Sequence, residues 1–448
     1  MGAVANAVGK LWVTLIQLIS VPILVTTWGT SGYGVWLMLT VIPTYIALSD
    51  LGFGTAAGVS MIRRVTTGDL SGALRAFQSV WLFVSLVSLT FWGLAVAIWF
   101  VGIELPSWAE WNREQLPIAA LLLMTYSLIV LQMNIVNVGF RSIGRYAQGT
   151  FLLDLISPLE QLLVLVVASG GGGYAGCALA MVSMRAVGFA VYYFMLRRTA
   201  PWIRFGWKEA RVEEVKSLAR PAVAALSLPI SSALSIQGTV FVLGLAISPA
   251  AAAILGTVRT IARVPLQLVG LLTRATLPEI TAAEIKKDTR YLDELVYGNL
   301  AAVLIVSVPC AAVLIFSGQW LLSLLTRNQM EAPTSLFIAL MISMVLSALW
   351  STVGSFLLAV NQQHRFAAIY AAAAVITAVM VYFVAARFGI EAAAISLIPM
   401  DIVMSATVLY QWFGVDRKYN LSEQIDVIGR LVRAVKHKRN WRRNSAHG

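Results

Sequence analysis

Long runs of apolar residues, separated by short polar connections, dominate this chain from one end to the other. Each run is long enough to cross a bilayer as a helix, which takes about 20 residues. The pattern therefore predicts an all-α polytopic membrane protein with twelve transmembrane helices. Their expected extents are 10–28, 33–62, 76–103, 116–140, 147–168, 174–196, 220–246, 250–273, 297–316, 335–360, 366–386 and 391–413.

The composition supports this interpretation and excludes several classes of protein. Of 448 residues, 59% are hydrophobic and 12% are charged, whereas soluble domains carry roughly 45–50% apolar and about 25% charged residues. The sequence contains no GxxxxGK[ST] or HExxH motif and no Cys/His ligand spacing, which argues against an ATP-driven motor and a metal site. The outer connections are also too short to hold a membrane-embedded glycosyltransferase site. We therefore expect a protein that is not an enzyme, with no metal and no bound cofactor.

The positive charge of the chain follows its predicted topology. The formal net charge is +12, and most Lys and Arg residues lie in alternate connections and after residue 413. The opposite connections hold only Arg113, Arg327 and Arg387. Because basic connections face the cytoplasm, we expect cytoplasmic N- and C-termini. The basic surplus is thus explained by the membrane, and no nucleic-acid partner is expected.

One charged connection divides the chain into two halves of six spans each. The predicted domains are an N-lobe (1–198), a cytoplasmic linker (199–219), a C-lobe (220–413) and a basic amphipathic cytoplasmic tail (414–448). The apolar residues of the tail recur at three- and four-residue spacing, which favours a helix on the inner membrane surface over a disordered segment.

Weak internal similarity indicates that the two halves are repeats. Gly34–Pro43 and Gly256–Pro265 each place a glycine and a proline nine residues apart, and Gly173–Ala180 resembles Gly389–Ser396. An even number of spans in each half predicts lobes related by a pseudo-two-fold axis along the membrane normal.

Three arginines fall inside predicted spans, where a charge costs about 2.5–3.5 kcal/mol at the bilayer centre on insertion scales. Arg259 and Arg263 are four residues apart in the eighth span and share a helix face, and Arg185 lies in the sixth span. Guanidinium groups bind phosphate oxygens bidentately. The three residues therefore predict a cationic lumen that binds a phosphate group.

Acidic and amide side chains provide further candidates within the spans. Asp50, Asp154 and Asp401 are candidate coupling or gating residues, whereas Glu160 points to another face and lies nearer the interface or in a local pair. Candidate substrate contacts on the fourth and fifth spans are Asn134, Asn137, Arg141 and Gln161. The alternative is that these groups form static interhelical pairs. In that case Arg185 and Asp401, which occupy matching positions in the two repeats, form a structural pair.

The chain resembles the polysaccharide transporter branch of the MOP flippase superfamily, which has a MATE-like fold. The resemblance rests on twelve spans in two lobes, on the second-span sequence TSGYGVWLMLTVIPTYIALSDLGFGTA, on FVLGLAISPAAAAILGTVRTIARVPLQLV, and on the Gly-Arg after the fourth span. It implies a V-shaped central cavity containing Arg185, Arg259 and Arg263. Drug exporters of the superfamily typically carry an acid in the first span, where this chain has Gln17.

This resemblance predicts a flippase that moves undecaprenyl-pyrophosphate-linked oligosaccharide repeat units across the bacterial inner membrane by alternating access, for O-antigen or exopolysaccharide synthesis. The expected partners are this lipid-linked oligosaccharide and membrane lipid, and docking of polysaccharide polymerase machinery is left open. Coupling by H⁺ or Na⁺ is also left open. The alternatives are a cation-coupled exporter of drugs or other small molecules and a non-transporting scaffold for polysaccharide assembly.

Overall fold

The computed structural model describes residues 2–48, 52–101, 115–360 and 362–414, and nearly all of this backbone is helical. The helices are α1 (Gly2–Leu39), α2 (Val41–Ala47), α3 (Phe53–Thr66), α4 (Leu70–Val101), α5 (Gln115–Ser142), α6 (Tyr146–Ser169), α7 (Tyr174–Thr199), α8 (Val212–Ala233), α9 (Thr239–Ala246), α10 (Pro249–Ile285), α11 (Thr289–Thr326), α12 (Thr334–Ala359), α13 (His364–Ile395) and α14 (Ile398–Phe413). A π turn, Leu234–Gly238, joins α8 to α9.

The helices have the length and composition of membrane spans. Within the described ranges, nine helical stretches are long and apolar enough to cross a bilayer. They are Leu70–Leu94, Gln115–Ser142, Tyr146–Ser169, Tyr174–Thr199, Ala225–Ala246, Pro249–Ile285, Thr289–Thr326, Thr334–Ala359 and His364–Ile395. The predicted all-α polytopic membrane class is therefore confirmed.

Two of the long helices bend at a glycine. Gly29 in α1 has φ 70° and Gly389 in α13 has φ 81°. Side chains other than glycine rarely adopt this region because the Cβ atom would clash. Both bends coincide with connections expected from the sequence, after residue 28 and between residues 386 and 391.

The predicted second span, 33–62, is interrupted in the structure. Helix α2 ends at Ala47, and α3 begins only after Gly52, which has φ 75°. A Cβ atom on Gly52 would lie 2.2 Å from the backbone oxygen of Ala222. The interruption therefore brings this segment into close contact with α8.

Several helices extend beyond the predicted spans. Helix α10 continues to Ile285, although the predicted span ended at residue 273, and α11 runs from Thr289 to Thr326 around a predicted span of 297–316. Hydrophobicity marks only the part of a helix inside the hydrocarbon core, while backbone hydrogen bonding continues into the polar region. As a result Arg274, expected in a connection, lies within α10.

Helices of the first half contact mainly one another, and the same is true of the second half. Helices α5, α6 and α7 form one packed group, and α10, α11, α12 and α14 form another. The two halves meet where α1 packs on α10 and where α3 and α4 pack on α8. At the first of these contacts a Cβ atom on Gly34 would lie 1.8 Å from the Pro249 carbonyl oxygen, so α1 and α10 touch through backbone.

Candidate functional site

A polar cluster in the second half surrounds the carboxylate of Asp401 on α14. The residue is 1% exposed. Its Oδ1 atom accepts hydrogen bonds from the Ser347 hydroxyl at 2.7 Å and from Trp350 Nε1 at 2.9 Å, and its Oδ2 atom accepts one from the Ser343 hydroxyl. The three donors follow one another at spacings of four and three residues on α12, so they share a face. This cradle stabilises a carboxylate in an apolar bundle.

Arg259 on α10 is held beside the π turn. Its Nη1 atom donates to the carbonyl oxygen of Ile236 at 2.9 Å and to the hydroxyl of Thr239 at 2.7 Å. Arg259 and Asp401 also lie close enough for a Coulombic interaction. Single π turns within helices occur frequently at functional sites. Here the turn supplies the acceptor that fixes this guanidinium in the cluster.

Tyr370 on α13 completes the cluster. The residue is buried, its ring centroid lies 5.0 Å from that of Trp350, and its hydroxyl interacts with Ser232 and Ser235 of the α8 and π-turn segment. Electrostatic interactions link it to Asp401 and Arg259. The cluster therefore joins α8, the π turn, α10, α12, α13 and α14 through polar side chains.

Arg263, one turn beyond Arg259 on α10, has a different environment. The residue is exposed, and it makes no hydrogen bond or ion pair to any residue that the structure describes. It lies 14 residues into a 37-residue helix, or about 21 Å from the helix start. Eleven residues further along lies Arg274, which is also exposed and is offset by only about 20° around the helix axis. One face of α10 thus carries a line of guanidinium groups.

The structure places Arg185 in a separate cluster in the first half. Its Nη2 atom lies 2.6 Å from Oε2 of Glu160 and donates to the Tyr126 hydroxyl at 2.8 Å. Its guanidinium carbon also stands 5.1 Å from the Tyr126 ring centroid. These contacts join α5, α6 and α7. Asp401 accepts its hydrogen bonds from α12 instead, so the alternative in which Arg185 and Asp401 form a structural pair is wrong. The hydrogen-bond partners of Arg185 and Arg259 lie on separate groups of helices.

The remaining predicted site residues are dispersed over the first half. Asn137 accepts a hydrogen bond from the Tyr192 hydroxyl at 3.1 Å, and Arg141 is exposed over the Tyr146 ring at 5.3 Å. The other three, Asn134, Asp154 and Gln161, are half-buried. Asp50 lies outside the described residues, as does most of the predicted tail. The substrate and coupling roles of all these residues remain predictions.

Several members of the two clusters were not among the residues singled out from the sequence. They are Tyr126, Ser343, Ser347, Trp350 and Tyr370. The spacing of Ser343, Ser347 and Trp350 is a polar stripe in an apolar segment and could have identified them. Nothing local marks Tyr126 or Tyr370, because aromatic residues are common in spans. Among the described residues, no group of three His, Cys, Asp or Glu side chains could hold a metal ion.

No family model matches the sequence, and no curated protein matches it. Solved structures do show the fold. An inward-facing structure of a multidrug resistance MATE family transporter of the MOP superfamily superposes with a TM-score of 0.72 and 16% identity, covering 89% of this chain and 93% of that chain. An outward-facing structure of a transporter with the same description gives 0.63 and 16%, covering 92% and 93%.

A third similar structure has a different reported character. It is a MOP superfamily transporter from Pyrococcus furiosus, described by the reverse polarity of its binding pocket, which suggests a different function. It superposes with a TM-score of 0.62 and 15% identity, and the match covers 92% of this chain and 94% of that chain. At these identities the comparisons show the MATE-like fold of the chain and nothing finer.

Proposed function

We propose that this protein, which has the MATE-like fold, is a flippase for undecaprenyl-pyrophosphate-linked oligosaccharides in the bacterial inner membrane. The proposal rests on Arg263, an exposed guanidinium far inside α10 that makes no hydrogen bond or ion pair to a described residue. Its electrostatic neighbour is Tyr370. A charge at such depth normally faces an aqueous cavity or a partner. Pyrophosphate is an anionic partner that guanidinium groups bind bidentately.

Arg259 supports the same substrate class. Arg259 donates both of its hydrogen bonds to described residues from Nη1. Its Nε and Nη2 atoms donate to no described residue. The residue is therefore held in position while part of its donor fork is available to a ligand. Because Arg259 and Arg263 are one turn apart, the two guanidinium groups match the two phosphates of a pyrophosphate.

Arg185 has a different role in this proposal. Its bonds to Glu160 and Tyr126 satisfy it within the first half, so it positions α5, α6 and α7 and does not bind the pyrophosphate. The sugars contact Asn134, Asn137, Arg141 and Gln161 on the first half, while the prenyl chain stays in lipid between the lobes.

The proposal includes the finer architecture expected from the sequence. The helices are divided at Gly29 in α1 and at Gly389 in α13. Counting the second part of α1 with α2 and α3, α8 with the π turn and α9, and the second part of α13 with α14 then gives twelve spans, with both termini in the cytoplasm. Six spans lie on each side of the linker (199–219), which supports two lobes around a V-shaped cavity. The division into 1–198, 220–413 and a tail (414–448) is part of this proposal.

Alternating access of this cavity is the proposed mechanism. Rocking of the lobes exposes Arg259 and Arg263 first to the cytoplasmic leaflet and then to the outer leaflet. Asp401 lies within Coulombic range of Arg259, so a change in its charge alters the hold on the guanidinium. Asp401, Asp154 and Asp50 are the proposed coupling or gating residues, with H⁺ or Na⁺ as the coupling ion.

A second candidate function is cation-coupled export of drugs or other small molecules. It is favoured by the buried Asp401 carboxylate, a group that binds cations, and by the multidrug resistance description of two structures that share the fold. The cationic face of α10 favours an anionic substrate instead. The description of the Pyrococcus furiosus protein supports the idea that this fold accommodates pockets of different polarity.

The test compares arginine variants in the host of this protein, with surface polysaccharide as the readout. Arg259→Ala and Arg263→Ala should insert normally and reduce transport by about tenfold or more, because a hydrogen bond to a charged group is worth about 1.5–3 kcal/mol. Arg263→Lys should keep part of the activity, since it retains the charge and loses the bidentate geometry.

Arg387→Ala is the matched control for this test. Arg387 is also an exposed arginine, but it lies over the Phe388 ring near the Gly389 bend, and its loss should leave transport unchanged. Full activity of the Arg263→Ala variant would refute the cavity role. A drug-susceptibility panel on the same strains distinguishes the exporter, which alone would change drug resistance.

A further inference from the structure

The segment between α7 and α8, residues 200–211, is fixed to the start of α4 by hydrogen bonds to its backbone. Gln78 donates from Nε2 to the carbonyl oxygen of Arg204 at 3.0 Å and accepts from the backbone N–H of Glu209 at 3.0 Å. The Ser79 hydroxyl oxygen accepts from the backbone N–H of Arg211 at 2.8 Å. These bonds use backbone groups of the segment, so they do not depend on its charged side chains.

An aromatic cluster holds the middle of the same segment. The Phe205 ring centroid lies 4.5 Å from that of Tyr193, 5.1 Å from that of Trp81 and 5.7 Å from that of Phe77. Ile203 is fully buried beside it. Rings at these separations stack or tilt against one another favourably. The segment is therefore a fixed part of the bundle.

The aromatic contacts also set the depth of the segment. Tyr193 and Phe189, which both contact Phe205, lie six and ten residues before the end of α7. At about 1.5 Å per residue, the segment runs back about 9–15 Å along the bundle from that end. Since α7 is a candidate span of about 39 Å and the hydrocarbon core is about 30 Å thick, the Phe205 ring lies at or just inside the edge of the core, next to the headgroup region.

The outer face of the segment is basic and carries an exposed tryptophan. Arg204, Lys208 and Arg211 are exposed, and Trp207 is 73% exposed. Arg211 donates only to carbonyl oxygens of the segment itself, and Arg204 and Lys208 have no side-chain hydrogen bond or ion pair within the described ranges. Tryptophan at the interface and basic residues near anionic lipid are both favourable placements.

We propose that this face, formed by Arg204, Trp207, Lys208 and Arg211 and here called the headgroup face, binds the headgroups of anionic phospholipids. Because the backbone of the segment is already fixed, binding has to order only the three cationic side chains. Three acidic residues lie nearby. Glu214 is paired with Arg64 at 2.9 Å, and Glu209 and Glu213 still leave Arg204, Lys208 and Arg211 with a net positive charge. The proposal is independent of the transported substrate.

The test measures phospholipid binding to the purified full-length protein in detergent by native mass spectrometry, with phosphatidylglycerol and phosphatidylcholine as probes. The wild type should bind phosphatidylglycerol more tightly. The triple variant Arg204→Gln, Lys208→Gln, Arg211→Gln should lose about tenfold or more of that affinity, since each basic residue near an anionic surface contributes about fivefold. Its affinity for phosphatidylcholine should not change.

The control is the triple variant Lys286→Gln, Lys287→Gln, Arg290→Gln. It removes the same charge from exposed positions at the end of α10 and the first turn of α11 and should change the affinity less than twofold. Equal losses in the two triple variants, or no loss in the first, would overturn the proposal. Displacement of phosphatidylglycerol by millimolar inorganic phosphate would show a free-anion site and overturn it as well. If the first triple variant has a lower melting temperature in phosphatidylcholine, Arg204→Gln and Lys208→Gln are measured singly, each with an expected loss of up to about fivefold.

Discussion

Replacing Arg185 by leucine should destabilise the protein without removing a substrate contact. The side chains of Arg185 and Glu160 are 9% and 2% exposed, and their charged atoms lie 2.6 Å apart. At this burial, breaking the pair leaves an uncompensated charge and costs about 3–5 kcal/mol, whereas an exposed pair would contribute about 0–1 kcal/mol. Replacing both residues removes both charges, so Arg185→Leu with Glu160→Leu should cost clearly less than the sum of the single changes.

The assay is a double-mutant cycle on the free energy of unfolding, followed by denaturant titration in detergent. The expected interaction free energy is about 2–3 kcal/mol, within the range for residues in contact. The folded double variant should also retain transport. An interaction free energy near zero would refute the structural role, and loss of transport in a stable double variant would return Arg185 to the substrate site.

Three further predictions concern other parts of the molecule. Gly34→Ala should lower the free energy of unfolding by about 1–3 kcal/mol, as overpacking does, because the new Cβ would meet the Pro249 backbone. The control Gly298→Ala has open space around it and should leave the free energy of unfolding unchanged or raise it by up to about 1 kcal/mol. Asp401→Asn should fold, since the amide oxygen still accepts from Ser347 and Trp350, but it should lose transport. Asp401→Ala should lose transport and also lower the melting temperature. Wild-type transport by Asp401→Asn would exclude a coupling role. Hydrogen bonds from Gly72 and Ser71 hold the pKa of Asp69 below its usual range. The ionised carboxylate therefore stabilises the folded protein above the unfolded pKa of about 3.9, and this stabilisation is lost as pH falls through the lower folded pKa. The melting temperatures of wild type and Asp69→Ala should therefore converge in acid, and a constant difference down to pH 2 would contradict this.

The helical architecture could be predicted because hydrophobicity determines which segments enter a bilayer. The bends at Gly29 and Gly389 fell close to expected connections for this reason. The break between α2 and α3 could not be predicted from hydrophobicity, because apolar residues continue on both sides of Ser49 and Asp50, as they would in one span. It depends on the close approach of Gly52 to Ala222, a tertiary contact.

The arginine partners show what the sequence left undetermined. Glu160 lies nine residues before the end of α6, and Arg185 lies eleven residues after the start of α7. Because the two helices are joined by a short turn, the residues come to similar depths, about 14 and 16 Å from it. This depth match could have predicted the pair. Matching positions in the two repeats instead suggested Asp401, which bonds within its own half.

The position of Arg259 was beyond sequence reasoning. One of its two acceptors is the Ile236 carbonyl oxygen within the π turn, and no residue pattern in Leu234–Gly238 distinguishes a π turn from an ordinary helix. The shared face of Arg259 and Arg263 followed from their spacing alone. Their different surroundings, one residue anchored and the other exposed, required the structure.

The most direct test of the central claim is to deplete the protein in its host and determine which leaflet of the inner membrane holds the lipid-linked oligosaccharides. The account predicts accumulation of undecaprenyl-linked repeat units on the cytoplasmic leaflet, with loss of surface polysaccharide. Expression of the wild type should reverse both effects, and expression of Arg263→Ala should not. Unchanged lipid-linked pools and unchanged surface polysaccharide after depletion would contradict the flippase function.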